Sequence, residues 1–197
     1  MQELDFDLCS IQAARDLARK GHEAEVKLRE YSFDEIDKII KAIAEAAEIH
    51  AKELAEMAVE ETGFGNVNDK VYKNHMASGL LYEEIKDQQT IGIVDADEKN
   101  QVITVADPVG LIMGIVPSTN PTSTVIYNSM IAIKSRNPII FSPHPKASKC
   151  TNRAIEIINE AAVKAGAPEN IIQGLTKLSM DATNELMHAE EVKLIIA

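Results

Sequence analysis

From residue 110 onward, short runs that are apolar throughout alternate with longer stretches of helical spacing. GLIMGIV over 110–116 leads to a helical pattern over 121–135, PIIF over 138–141 to one over 148–165, and IIQG over 171–174 to one over 180–188. VKLIIA over 192–197 is a fourth apolar run. Strands without a polar face need cover on both sides, and strands separated by helices pair in parallel. The alternation therefore predicts an α/β fold with a Rossmann-like parallel sheet buried on both faces. The breakers fall at the joins: Asn137 with Pro138 ends one helix, and Gly166 with Pro168 ends the next.

The first hundred residues are of another kind. Ile11, Ala14, Leu17 and Ala18 recur at helical spacing until Gly21, where the pattern is expected to break. Ser32 and Glu35 stand at the two ends of a capping box. Ile36, Ile39, Ile40, Ile43, Ala47, Leu54 and Met57 then form one stripe, which predicts a single long helix closed by Gly63 in the left-handed conformation. A third helix is expected over 69–87, with Val71, His75, Met76 and Leu80 on its buried side. His50 and His75 lie near apolar stripes and are read as hydrogen-bonded core histidines. TIGIV and QVITVA flank the polar DADEKN, the pattern of a β-hairpin, and Asp107-Pro108 separates this hairpin from the apolar runs after it. The expected organisation is a helical part over 1–88, a hairpin arm over 89–108 and the parallel-sheet core over 109–197, incomplete at its C-terminal side.

Composition removes several function classes. The formal net charge is −11, and the 20 basic residues are dispersed, so neither a nucleic-acid nor an anionic-membrane surface is expected. No stretch approaches the roughly 18 to 20 apolar residues of a membrane span. Residues 1–30 mix acids and bases, unlike a signal or transit peptide, and a cytoplasmic location follows as the expectation. The two cysteines, Cys9 and Cys150, are too few for a disulfide framework and have no metal-ligand spacing.

Parallel sheets bind ligands beyond the carboxyl ends of their strands, so the informative loops follow residues 116, 141, 174 and 197. In the first, Asn120 suits a helix N-cap and Pro121 the first helical position, which aims free amides at the strand ends. Such a terminus favours negative charge, and Ser118, Thr119 and Asn120 add side-chain donors. The same residues also satisfy a turn and a cap, so the pattern alone leaves both readings open. In the second loop, Ser142-Pro143-His144-Pro145-Lys146, two prolines hold His144 extended. Glycine-rich phosphate loops, a nucleophile elbow and H-E-x-x-H are missing from the sequence. Cys150, without a neighbouring base, reads as packing.

The run GIVPSTNPTSTVIYNSMIAIKSRNPIIFSPHPKASKCT, with DKVYKNH before it and AGAPENIIQGL after it, resembles the N-terminal part of the CoA-acylating aldehyde dehydrogenases. The likeness is greatest to the aldehyde dehydrogenase half of bifunctional aldehyde-alcohol dehydrogenases and extends over about 31–197. It implies NAD-dependent oxidation of a short aldehyde to an acyl-CoA, reversible, with a cysteine thiolate as nucleophile and coenzyme A releasing the thioester. It also implies that Pro117, Ser118, Thr119 and Asn120, with Ser142, His144, Pro145 and Gly174, wall the cofactor site. Thr119 stands where the hydrolytic enzymes have their oxyanion asparagine and Asn120 one place later, so either is a candidate oxyanion donor. Ser142 and Pro145 replace a lysine and a glutamate that hold the cofactor ribose there, which leaves NADP open beside NAD. Residues 90–106 become an oligomerisation arm, and a homo-oligomer is expected. The family's glycine-rich turn and catalytic cysteine come later than residue 197, so this stretch is expected to be inactive alone and to associate. A bacterial microcompartment stands beside the cytoplasm as a location. The alternatives are a complete non-catalytic module binding a nucleotide or partner, and an assembly element docking through 11–20 or 90–106.

Overall fold

The computed structural model describes residues 5–197, so residues 1–4 of the expected 1–88 region lie outside the described residues. Helix α1 (Phe6–Leu28) runs unbroken through Gly21. A Cβ at Gly21 would lie 2.7 Å from the Leu111 side chain, so this glycine permits close approach and does not end the helix. The capping box forms as expected, with Glu35 N donating to Ser32 Oγ at 3.4 Å and Ser32 N to Glu35 Oε2 at 2.9 Å. The apolar stripe after it is not one helix. It divides at His50 into α2 (Phe33–Ile49) and α3 (Ala51–Thr62), and Gly63 closes the second with φ 71°.

The third helical region departs further from expectation. It comprises α4 (Val67–His75), a π-turn over Met76–Leu80 and α5 (Leu81–Ile85). Its buried positions are Lys70, Asn74, Ala77, Ser78 and Ile85, while Met76 and Leu80 are exposed. Three of these are polar because they donate to oxygens of neighbouring segments: Lys70 to the Thr119 carbonyl, Asn74 to the Ala51 carbonyl and Ser78 to Glu48. The π-turn leaves backbone groups without their usual partners. Glu48 meets one of them, accepting from Gly79 N at 3.0 Å, and it also accepts from the side chains of Ser78 (Oγ, 2.6 Å) and His75 (Nδ1, 2.6 Å). His50 pairs likewise with Glu53 at 2.6 Å. Both histidines are hydrogen-bonded, but they are partly exposed and not in the core.

β1 (Gly92–Asp97) and β2 (Val102–Ala106) form the antiparallel hairpin, with Ile93, Ile103 and Val105 exposed. The remaining elements alternate: β3 (Leu111–Val116), α6 (Pro121–Lys134), β4 (Ile139–Pro143), α7 (Ser148–Lys164), β5 (Ile172–Gly174), α8 (Met180–His188) and β6 (Val192–Ile196). Their four strands make one parallel sheet in the order β5-β4-β3-β6.

The period of two assigns each strand residue to a face. Ile112, Val116, Ile139 and Phe141 pack beneath α2, α6 and α7, while Leu111, Met113 and Ile140 face α1 and α8. Phe141 has no exposed surface, and burying such a side chain contributes about 1.5–3 kcal/mol. β3 and β4 are thus covered on both faces as expected. β6 is an edge strand whose central residues, Lys193, Leu194 and Ile195, are exposed.

The strand order locates the site. The chain steps outward from β3 to β4 to β5, then returns to place β6 on the other side of β3. The reversal occurs at β3, so the crevice opens at its carboxyl end, where residues 117–120 lie.

Candidate functional site

Four residues join β3 to α6. Pro117 and Thr119 are exposed, and Ser118 and Asn120 are half-buried. Asn120 occupies the N-cap position of α6, with φ −138° and ψ 56°, but its side chain caps nothing. Its Oδ1 instead accepts from Lys73 Nζ at 2.8 Å. The first turn of α6 therefore has no side-chain cap, and the helix begins with free amides at the crevice.

α4 holds this loop. Lys70 is buried and its Nζ donates to the Thr119 carbonyl at 2.8 Å. Burial, followed by the nearby Lys73 charge, lowers the Lys70 pKa from its usual value. One turn along, Asn74 donates to the Ala51 carbonyl at 3.0 Å and accepts from Thr122 Oγ1 at 2.9 Å, tying α3, α4 and α6 together. A hydrophobic-stripe reading misses these residues because the groups they satisfy are polar. The available signal is the K-x-x-K-N spacing of Lys70, Lys73 and Asn74, which places them on neighbouring turns of a helix with few apolar residues.

The end of β4 and the loop after it form the facing wall. Ser142 is buried and shares a 3.0 Å hydrogen bond with Thr183 Oγ1, so its hydroxyl is directed to α8. His144 is exposed and extended, φ −61° and ψ 137°, and its Nδ1 accepts from Lys146 N at 3.1 Å. Pro145 begins a single 3₁₀ turn, Pro145–Ala147. No carboxylate belongs to residues 142–149. The α7 N-terminus, in contrast with that of α6, is filled from within the protein: Glu61 accepts from Lys149 N at 2.9 Å and Cys150 N at 2.8 Å. Gly174 is closely approached by α7: a Cβ there would lie 2.6 Å from both Asn152 Oδ1 and Ile155 Cδ1.

Cys150 is buried beside Ala58 and Ala147, and its thiol donates to the Ala147 carbonyl at 3.4 Å. Burial and then the Glu61 carboxylate push its pKa up to about 12, which leaves a negligible thiolate fraction at neutral pH. It is a packing residue, as the sequence suggests.

Beside the 117–120 loop, an open groove of about 490 Å³ runs along α6. Asn120, Ser123, Thr124 and Tyr127 line it from one side, and Lys73 and Met76 from the other. Its walls are mainly apolar carbon, and Asn120, the residue that ends the 117–120 loop, is among them.

The aldehyde dehydrogenase family model matches residues 5–197. The chain belongs to the aldehyde dehydrogenase family. The bifunctional aldehyde-alcohol dehydrogenase of Escherichia coli (strain K12) is 45% identical over 181 residues, 92% of this chain and 20% of that protein. The crystal structure of an acetylating aldehyde dehydrogenase from Geobacillus thermoglucosidasius matches with TM-score 0.96 and 51% identity, covering 98% of this chain and 43% of that one. A propionaldehyde dehydrogenase from Rhodopseudomonas palustris, solved with bound CoA and an acylated cysteine, matches with TM-score 0.80 and 28% identity over 92% of this chain and 41% of that one. The chain thus spans about a fifth of the bifunctional relative and about two fifths of the solved enzymes. The likeness is to the acylating branch of aldehyde dehydrogenase oxidoreductases, in agreement with the motifs around residues 115–151.

Proposed function

We propose that these residues form the cofactor-binding portion of a CoA-acylating aldehyde dehydrogenase. The reaction would convert a short aldehyde, CoA and a nicotinamide dinucleotide to an acyl-CoA and the reduced dinucleotide. The observation that carries this reading is the loop of residues 117–120 at the switch point of the sheet, where uncapped α6 amides and the Asn120 side chain meet the crevice.

The crevice suits a dinucleotide. It has exposed apolar and donor groups, and its second wall carries His144 and Lys146 with no carboxylate to repel phosphate. Pro117, Ser118, His144 and Pro145 are the residues that would hold the cofactor, with Ser142 supporting the wall through Thr183. When bound, the dinucleotide supplies the hydride acceptor. The chain's own part is to stabilise negative charge on the aldehyde oxygen through donors on 119–120 and the α6 terminus, and to hold the aldehyde's short tail in the groove along α6. Neither Cys9 nor Cys150 is a candidate nucleophile in this arrangement: Cys9 lies on α1, and Cys150 is buried and protonated.

NAD is the proposed dinucleotide. NADP is the second reading, favoured by the absence of a carboxylate in 142–149, since an acid at the ribose is what excludes a 2′-phosphate. The hairpin, with its exposed Ile103 and Val105, is proposed as the arm through which copies associate. The proposed location is the reducing cytoplasm.

The test is product analysis on the full-length protein with a short aldehyde and either dinucleotide. Reduced dinucleotide and acyl-CoA in equal amounts, with no turnover when CoA is omitted, is the expected result. Release of free acid without CoA would overturn the acylating reading.

A further inference from the structure

Two ammonium groups on one helix take the two oxygens of successive loop residues: Lys70 Nζ the Thr119 carbonyl and Lys73 Nζ the Asn120 Oδ1, each at 2.8 Å. An ammonium donates and never accepts, so the atom it contacts on Asn120 is the oxygen. The amide orientation is thereby fixed. Nδ2 lies on the opposite branch of the side chain, and among the described residues nothing accepts from it. The peptide plane is fixed in the same way, because a carbonyl held by Lys70 sends the Asn120 N–H in the opposite direction. That N–H also has no acceptor among the described residues.

We propose that Lys73 is a positioning residue of the acylating reaction proposed above, acting by turning Asn120 Nδ2 into the crevice as a donor to the aldehyde oxygen. Without the ammonium, either face of the amide could point at the substrate, and its oxygen would repel the developing negative charge. With it, only donors are presented, and a charge on Oδ1 polarises the amide so that its N–H groups donate more strongly. Lys70 serves the same end through the backbone. Its ammonium is buried with a carbonyl partner, and no carboxylate pairs with it among the described residues. Such burial costs stability, and the orientation of the 119–120 peptide is what it achieves. Thr119 has no comparable fixation of its hydroxyl, so of the two candidate donors the geometry selects Asn120.

The test compares Lys73→Met and Lys73→Arg. Lys73 is exposed, and an exposed contact of this kind contributes about 0–1 kcal/mol, so both variants should melt with the wild type. In the full-length protein, Lys73→Met is expected to lower kcat about fivefold, the change an exposed contact of this size can carry and below the loss for removing an oxyanion donor outright. KM for the aldehyde should stay within about threefold, as for an interaction used in the transition state. Lys73→Arg, which can still donate to Oδ1, should recover most of the loss. An unchanged kcat in Lys73→Met, or an Arg variant as poor as Met, would overturn the inference.

A second readout does not depend on turnover. In nitrogen-15 spectra of the full-length protein labelled selectively at asparagine, the Asn120 side-chain amide should give one pair that shifts and broadens in Lys73→Met. An Asn120 pair identical in the two proteins would overturn the positioning role even if turnover fell. Wild-type protein without CoA-dependent turnover, but with the Asn120 pair responding to Lys73, would instead remove the acylating reading and with it the reaction that Lys73 is proposed to serve.

Discussion

Lys70 Nζ lies 2.8 Å from the carbonyl oxygen of Thr119, so a buried ammonium on α4 fixes the loop at the switch point of the sheet. This contact is the point where the helical first part of the chain and the parallel-sheet core jointly shape one site.

Replacing Lys70 by methionine separates the site's needs from the fold's. The lost hydrogen bond and the relieved burial of charge oppose each other, and exchanging buried charge for an apolar group of like volume is often neutral or stabilising. Urea unfolding of Lys70→Met should therefore stay within about 1 kcal/mol of wild type or move to higher stability, while kcat in the full-length protein falls. Because the folded pKa is lowered, the unfolded state binds more protons than the folded one between the two values. Wild-type stability should rise with pH on the approach to the ordinary lysine value of about 10.4, and that rise should be absent in Lys70→Met.

Glu48 gives an acid-side counterpart. Burial raises its pKa, but donation from Ser78, Gly79 and His75 outweighs this and holds the carboxyl below its usual range. Its contribution is therefore complete above the unfolded carboxylate value of about 4.3 and lost as pH falls through the lower folded value. Glu48→Gln should cost on the order of 1 kcal/mol at neutral pH and show a shallower loss of stability in acid than wild type. Equal acid slopes in the two proteins would contradict this assignment.

Gly174→Ala tests whether this position serves packing or ligand. The added methyl group meets Asn152 and Ile155, and Asn152 also donates to the Leu175 carbonyl at 3.2 Å. An overpacking loss of about 1–3 kcal/mol is expected in thermal or urea unfolding, with dinucleotide affinity of the folded full-length protein unchanged. Weakened dinucleotide binding without a stability loss would assign the position to the ligand instead.

The core of the fold was legible because burial leaves a period. β3 and β4 are apolar throughout since both faces are covered, and Met180–His188 is the helix whose expected bounds match those observed. Three features were not legible, each for a physical reason. Gly21 looks like a breaker, yet it continues the small face of Ala14 and Ala18 where α1 meets the sheet. The division at His50 has no breaker residue to announce it. The buried face of α4 is polar, because Lys70 and Asn74 satisfy the Thr119 and Ala51 carbonyls, so the apolar residues Met76 and Leu80 of the following π-turn drew the expected face to the wrong side.

The site was legible in location but not in detail. The S-T-N-P turn identifies the strand end at which donors gather, while the role of Asn120 depends on Lys73, 47 residues away in the chain. Ser142 was expected at the cofactor, and the bond its hydroxyl shares with Thr183 could not be read from a partner 41 residues away in the chain.

Whether residues 117–120 present the donor that stabilises the reacting carbonyl of a CoA-acylating dehydrogenase is tested most directly by one kinetic constant. That constant is kcat for CoA-dependent aldehyde oxidation in the full-length protein carrying Asn120→Ala, beside Thr119→Ala in the same assay. A loss on the order of 100- to 1,000-fold is expected for Asn120→Ala with melting unchanged, and a loss of only a few fold for Thr119→Ala. Wild-type kcat in Asn120→Ala would contradict the donor role.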